Sequence, residues 1–225
     1  MSLKCKLSLI ACVSGLALSQ PAAAQDTDGG HVSAGLTAGT LGIGPEIGYR
    51  FNETVGIRAN AGLLSVNASV DDDDIEYDGD FDLRSFGVMI DVFPFGGGFR
   101  ISGGARLNRN KVELSATPTT SVEVGNATYT AAQVGTLSGR ASVKDFAPQL
   151  TLGYAGSLRK GIVFTAEAGV LFQGSVRLRD FQSSGTLASN AAFRADLERE
   201  RLNLQDEIDD YKLYPIAQIG LLYRF

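Results

Sequence analysis

The chain has no tryptophan, one histidine and two cysteines in 225 residues. Cys5 and Cys12 both fall near the start, so a chain trimmed behind them has no disulfide, thiol nucleophile or cysteine metal site. No apolar run reaches the roughly 20 residues that a membrane-crossing helix needs. The longest, Leu7 to Leu18, is shorter and is broken by Ser8, Ser14 and Gly15. What is abundant is glycine, 27 residues, which weakens helices and suits turns and curved sheet.

The first residues follow the order of a secretory signal: Lys4 and Lys6, the apolar run, Pro21, then Ala22-Ala23-Ala24. Cleavage is expected before Gln25, giving a signal segment over 1–24 and a mature domain over 25–225. A competing reading takes Leu9-Ile10-Ala11-Cys12 as a lipoprotein processing box. Losing the two lysines takes the formal charge from -5 to -7, which argues against nucleic acid as a partner.

The mature part alternates with period two from end to end. Ile57, Ala59, Ala61 and Leu63 oppose Arg58, Asn60 and Gly62; Phe164, Ala166 and Ala168 oppose Thr165, Glu167 and Gly169. Eight such stretches are expected, joined alternately by short turns (52–54, 94–98, 159–161) and by longer connections, with one brief link at 41–44. The fold class is therefore all-β: an eight-stranded antiparallel up-and-down transmembrane barrel with long extracellular loops. Stretches of nine to eleven residues suit a tilted membrane crossing, and Tyr49, Phe51, Phe93, Phe95, Phe99, Tyr223 and Phe225 collect at strand ends like an interfacial girdle.

The closing "YPIAQIGLLYRF" ends on Phe225 with Tyr223 and Leu221 on the same face. It resembles the C-terminal insertion signal of outer-membrane proteins, and the mature chain resembles the small barrels grouped around the OmpA transmembrane domain and OmpW. That resemblance implies an outer-membrane location, insertion by the barrel assembly machinery, a monomer, and outer-membrane lipids with lipopolysaccharide as partners. With no peptidoglycan-binding domain after the barrel, a wall-tethering role is not expected.

The inward face is expected to carry Glu46, Arg50, Arg58, Asp91, Arg100, Arg106, Glu167 and Arg224, with Gln149, Gln173 and Gln218. Eight strands leave a bore that side chains can fill, and charges there must be paired. The expectation is a fixed ion-pair network that plugs the barrel; a gated or narrow polar pore is the alternative. The inward positions assignable from sequence are polar or glycine.

Three loops stand out. "VDDDDIEYDGDFD" offers Asp71, Asp72, Asp73, Asp74, Glu76 and Asp78 as hard-oxygen ligands for Ca2+ or Mg2+, though EF-hand spacing is missing and a solvated acidic loop is the blander reading. No other cofactor is expected. The segment from Ala116 to Val143 reads as a hairpin continuing the fifth and sixth strands. The segment from about Asn190 to Asp210 reads as an amphipathic helix with Asn190 or Ser189 as cap, Phe193, Leu197, Leu204 and Ile208 along one face, and Arg194 placed to pair with Glu198. It lies over the barrel mouth or neighbouring hairpin, or else docks a partner.

Function divides into three classes. A structural or interaction barrel would act through its loops; an OmpW-like channel would admit small or hydrophobic solutes; a lipid A acyltransferase or deacylase would need an activated nucleophile, usually with a histidine base. The only histidine, His31, starts the first strand, at the end opposite the long loops. No enzyme and no catalytic residue is expected.

Overall fold

The structure, a computed structural model, describes residues 31–72, 74–156 and 158–225, with backbone alone at 71 and 72. The expected signal segment and its cleavage point lie outside these residues. Eight strands close into a ring. They run β1 (His31–Gly39), β2 (Gly42–Arg50), β3 (Val55–Asp72), β4 (Ile75–Val92), β5 (Phe99–Asn108), β10 (Phe146–Tyr154), β11 (Gly161–Leu171) and β13 (Tyr214–Arg224). Each is antiparallel to the next, and β13 returns to β1 with Ser33 opposite Arg224.

Tight turns join β2 to β3, β4 to β5 and β10 to β11. In the first, Asn52 Oδ1 accepts from Thr54 N and Val55 N, both at 2.8 Å, which fixes the reversal locally. Alternation then decides which way each side chain faces. Outward positions hold large apolar residues left exposed, such as Phe86 at 67 %, while inward positions hold polar residues fully covered, such as Arg106 at 1 %. This is the reverse of a water-soluble barrel, whose apolar face turns in.

Two strands outgrow the ring. β3 and β4 are 18 residues each and pair without interruption up to Asp72 opposite Ile75. The acidic stretch expected as a loop is therefore strand, because Val66, Val70, Tyr77 and Phe81 keep the alternation going through it. Above the ring, β4 exchanges its partner β5 for β6 (Lys111–Pro118), which pairs β9 (Leu137–Ser142), which pairs β12 (Arg177–Ser183). The segment expected to extend the fifth and sixth strands thus forms the pair β6/β9 and leans on β4. Between them sit the hairpin β7 (Val122–Val124) and β8 (Ala127–Tyr129) and a short helix α1 (Ala131–Val134).

A second helix, α2 (Ala191–Ile208), is capped by Asn190, whose Oδ1 accepts from Ala192 N at 2.9 Å and Phe193 N at 3.1 Å. It packs on this outer sheet. Phe193 and Leu197 are buried with Val124 and Val134, and Leu204 and Ile208 are half-buried. Glu198 does not pair with Arg194. Its partner is Arg201, which grips both carboxylate oxygens at 2.9 and 2.7 Å and also lies 3.5 Å from Leu178 O on β12. The planar fork of Arg201 thus meets both oxygens of the Glu198 carboxylate at once.

Candidate functional site: a filled lumen

The ring's interior is stacked in layers, each set by strand register. At the tight-turn end Arg50, the last residue of β2, points into the mouth and donates to the carbonyls of Asn52 (3.2 Å), Glu53 (2.6 Å), Gly96 (2.9 Å) and Gly97 (3.1 Å). Its guanidinium also lies 3.5 Å from the Phe93 ring centroid. One side chain thereby ties two neighbouring turns across the opening. Arg224, on β13, donates to Ala155 O at 3.1 Å and ties in the third.

The middle layer centres on Arg58. Its Nε reaches Asp91 at 3.0 Å, its Nη1 reaches Glu46 and Glu167 at 3.1 Å each, and its Nη2 bonds Glu167 again. Arg100 shares two of these acids, at 3.5 Å to Asp91 and 3.3 Å to Glu167, and Thr151 Oγ1 donates to Glu167 at 3.2 Å. Every charged member of this layer is buried, with Arg58 at 2 % exposure. The acids come from β2, β4 and β11, so the cluster crosslinks the ring across its bore.

Above it lies Arg106, which has neutral partners: Gln149 Oε1 at 3.1 Å, Ser85 Oγ at 2.8 Å and Asn60 Oδ1. Asn60 joins the layers by donating to Glu46 at 3.3 Å. Space for so large a side chain comes from Gly87 on β4, where a Cβ would sit 2.8 Å from Arg106 Nη2 and 2.9 Å from Asn60 Oδ1. Glycine on the inward face is thus what lets an eight-stranded bore hold arginines.

The uppermost layer was not expected. Leu41, Ala147, Leu171 and Ile216 pack into a buried apolar cluster under Tyr214, whose hydroxyl donates to Thr40 O at 2.5 Å. The inward face is therefore not uniformly polar or glycine, because polarity reverses at the strand ends nearest the loops. Met89, Val163 and Leu222, buried lower down, are further apolar inward residues. Near the tight-turn end a cavity of about 20 Å³ is bounded by Arg50, Arg58, Asp91, Arg100 and Arg224, room for one water molecule and not for a solute.

The other sequence candidates sit elsewhere. Leu221, Tyr223 and Phe225 face outward and exposed, with Tyr223 edge-on to Phe225 at 5.0 Å. The acids Glu76 and Asp78 line one face of β4 with Asp80 and Asp82, continuing upward from Phe86. Alternate residues on a strand stand about 7 Å apart, so adjacent carboxylates share a cation only where their side chains turn toward each other. Asp78 instead accepts from Ser69 Oγ at 2.6 Å, and Asp74 lies in the turn where its carbonyl accepts from Thr119 N at 2.8 Å. Among the described residues no three His, Cys, Asp or Glu side chains converge on a possible metal position. The side chains of Asp71, Asp72 and Asp73 lie outside the described set. His31 begins β1 opposite Arg50, at the tight-turn end.

The fold has counterparts among solved structures. Acinetobacter baumannii CarO superposes with a TM-score of 0.58 at 21 % identity, covering 86 % of this chain and 97 % of that one. CarO2 of the same organism gives 0.61 at 21 % identity, covering 87 % and 98 %. Identity at this level speaks for a common barrel fold and no further. No protein-family profile and no curated protein sequence matches the chain.

Proposed function

We propose that this chain is an integral outer-membrane β-barrel, exported by a cleaved signal segment, whose bore is closed and whose work is done by its outer sheet and helix. The apolar belt around the ring supports the membrane placement, since residues such as Phe86, Leu36 and Ile219 have no partner in water. The closed bore rests on one observation above all: Arg58 holds three carboxylates from three strands within a layer buried from solvent. Moving a solute through would require parting those charges, and the apolar cluster of Leu171 and Ile216 lies across the path above them. The reading is a structural or interaction protein, monomeric, without catalysis.

An OmpW-like narrow channel is the second reading. It draws on Ser102 Oγ, Asn108 Nδ2, Gln149 Nε2 and Gln218 Oε1, inward polar atoms with no protein partner among the described residues, which ask for water between the layers. Conductance of the refolded mature protein in planar bilayers decides between them. A silent wild type beside a leaky R58A/R106A variant fits the closed bore; steady openings of the wild type would sink it.

A further inference from the structure

The outer rim of the ring is not uniform around its circumference. On three adjacent strands the top of the apolar belt is one continuous row: Phe86 on β4 pairs Leu107 on β5, which pairs Phe146 on β10. All three are exposed by more than half. Two residues beyond each, toward the loops, stands an exposed cation: Arg84, Arg109 and Lys144. Arg109 N donates to Arg84 O at 2.8 Å, and Asn108 N donates to Asp145 O at 2.6 Å, so the three chain segments run side by side at this height. Lys111, exposed and opposite Asp82, adds a fourth positive charge.

Two acids share this height, and a column of acids rises above it: Asp80, Asp78 and Glu76 on β4, with Glu113 opposite Asp80 on β6 and held by Arg140. Asp82 takes Arg84 at 3.0 Å, and Asp145 is exposed nearby, while no ion pair engages Arg109, Lys111 or Lys144 among the described residues. Elsewhere on the rim the pattern is lost. β13 is preceded by exposed Tyr211 and Leu213, and the one cation there, Lys212, pairs with Asp209 at 3.6 Å. The link between β1 and β2 offers only Thr40 and Leu41.

An apolar row surmounted by cations, of which Arg109, Lys111 and Lys144 make no ion pair among the described residues, matches one kind of ligand, a lipid whose acyl chains lie on the wall and whose head group carries phosphate. We propose that Arg84, Arg109 and Lys144, with Lys111 behind them, form a site on the β4–β5–β10 face for a phosphorylated lipid of the leaflet next to the loops. The site rests on the membrane placement argued above. It seats one side of the barrel against that leaflet more firmly than the other.

The test is binding of fluorescent lipid A to the refolded mature chain in neutral detergent, for wild type, an R84Q/R109Q/K144Q variant and a K160Q control on the tight-turn side. The expected result is saturable binding by wild type and K160Q and a weakening of roughly tenfold in the triple variant. Equal binding by the triple variant, or no saturable binding by wild type, overturns the site. Displacement by millimolar inorganic phosphate alone assigns the arc to a free anion and overturns the lipid. Insertion into phosphatidylcholine vesicles, followed by resistance to alkaline extraction, is scored separately: failure there refutes the membrane placement, whereas insertion without lipid A binding refutes only this site.

Discussion

Arginine meets carboxylate both inside the bore and on the outer surface, and the two settings are not alike. In the bore, Arg58 touches three acids and is 2 % exposed; on the outer sheet, Arg140 touches Glu113 at 2.6 Å and Asp180 at 3.4 Å with its side chain 47 % exposed. The chemistry is the same and the consequences differ. Outside, water screens the charges and either partner does well alone, so the pair contributes little. Inside, removing one partner strands the others where water cannot reach them. Burial, not the number of pairs, decides which charges hold the fold together.

The sharpest way to break this contrast is Arg58→Ala, which leaves Glu46 without its ion-pair partner and Asp91 and Glu167 with Arg100 alone. It is expected to cost about 3–5 kcal/mol in urea unfolding of the refolded barrel, or to prevent refolding outright. Next is Leu171→Ala, which opens a hole in the apolar layer while leaving every ion pair of the bore in place. A loss of about 2–3 kcal/mol is expected, with the bore still silent in bilayers. Gly87→Ala forces Arg106 to move and is expected to cost about 1–3 kcal/mol, with Arg106→Gln in the same chain relieving most of it. Arg140→Ala, by contrast, should shift barrel unfolding by less than about 1 kcal/mol; a larger loss would mean the outer sheet and ring unfold as one unit.

The smallest effect concerns the helix and acid. Hydrogen bonds from Arg201 hold the Glu198 carboxyl below its ordinary 4.5. A depressed carboxyl contributes stability above its unfolded-state value and loses it as pH falls through the folded one. Amide exchange along α2 should therefore quicken as pH drops below about 4.5, corrected for intrinsic rates, and Arg201→Ala should remove that pH dependence while exchange in the ring stays unchanged.

The ring strands were legible because alternation there is strict and charge falls on one face only, as with Thr165 and Glu167 against Phe164 and Ala166. What could not be read was the wiring. Arg58 meets Glu167 from 109 residues away, and nothing local to either marks the other as partner. Neutral members such as Asn60 and Ser85 carry no charge to flag them, and Leu41, Leu171 and Ile216 reverse the inward polarity exactly where strand ends blur into loops. Composition also misled. Six aspartates and a glutamate between Val70 and Phe81 suggest a solvated loop, although period two runs through them. β12 escaped because its alternation is cut by a bulge between Arg179 and Gln182, with Asp180 at a φ of 55°.

The length of β4 has a mechanical consequence. One unbroken strand carries Asp91 in the bore and Glu76 near the tip of the outer sheet, paired first to β5 and then to β6. It works as a mast stepped in the ring. A push on the outer sheet is a torque on the strand that carries one of Arg58's three acids, so whatever loads the exterior also loads the seal.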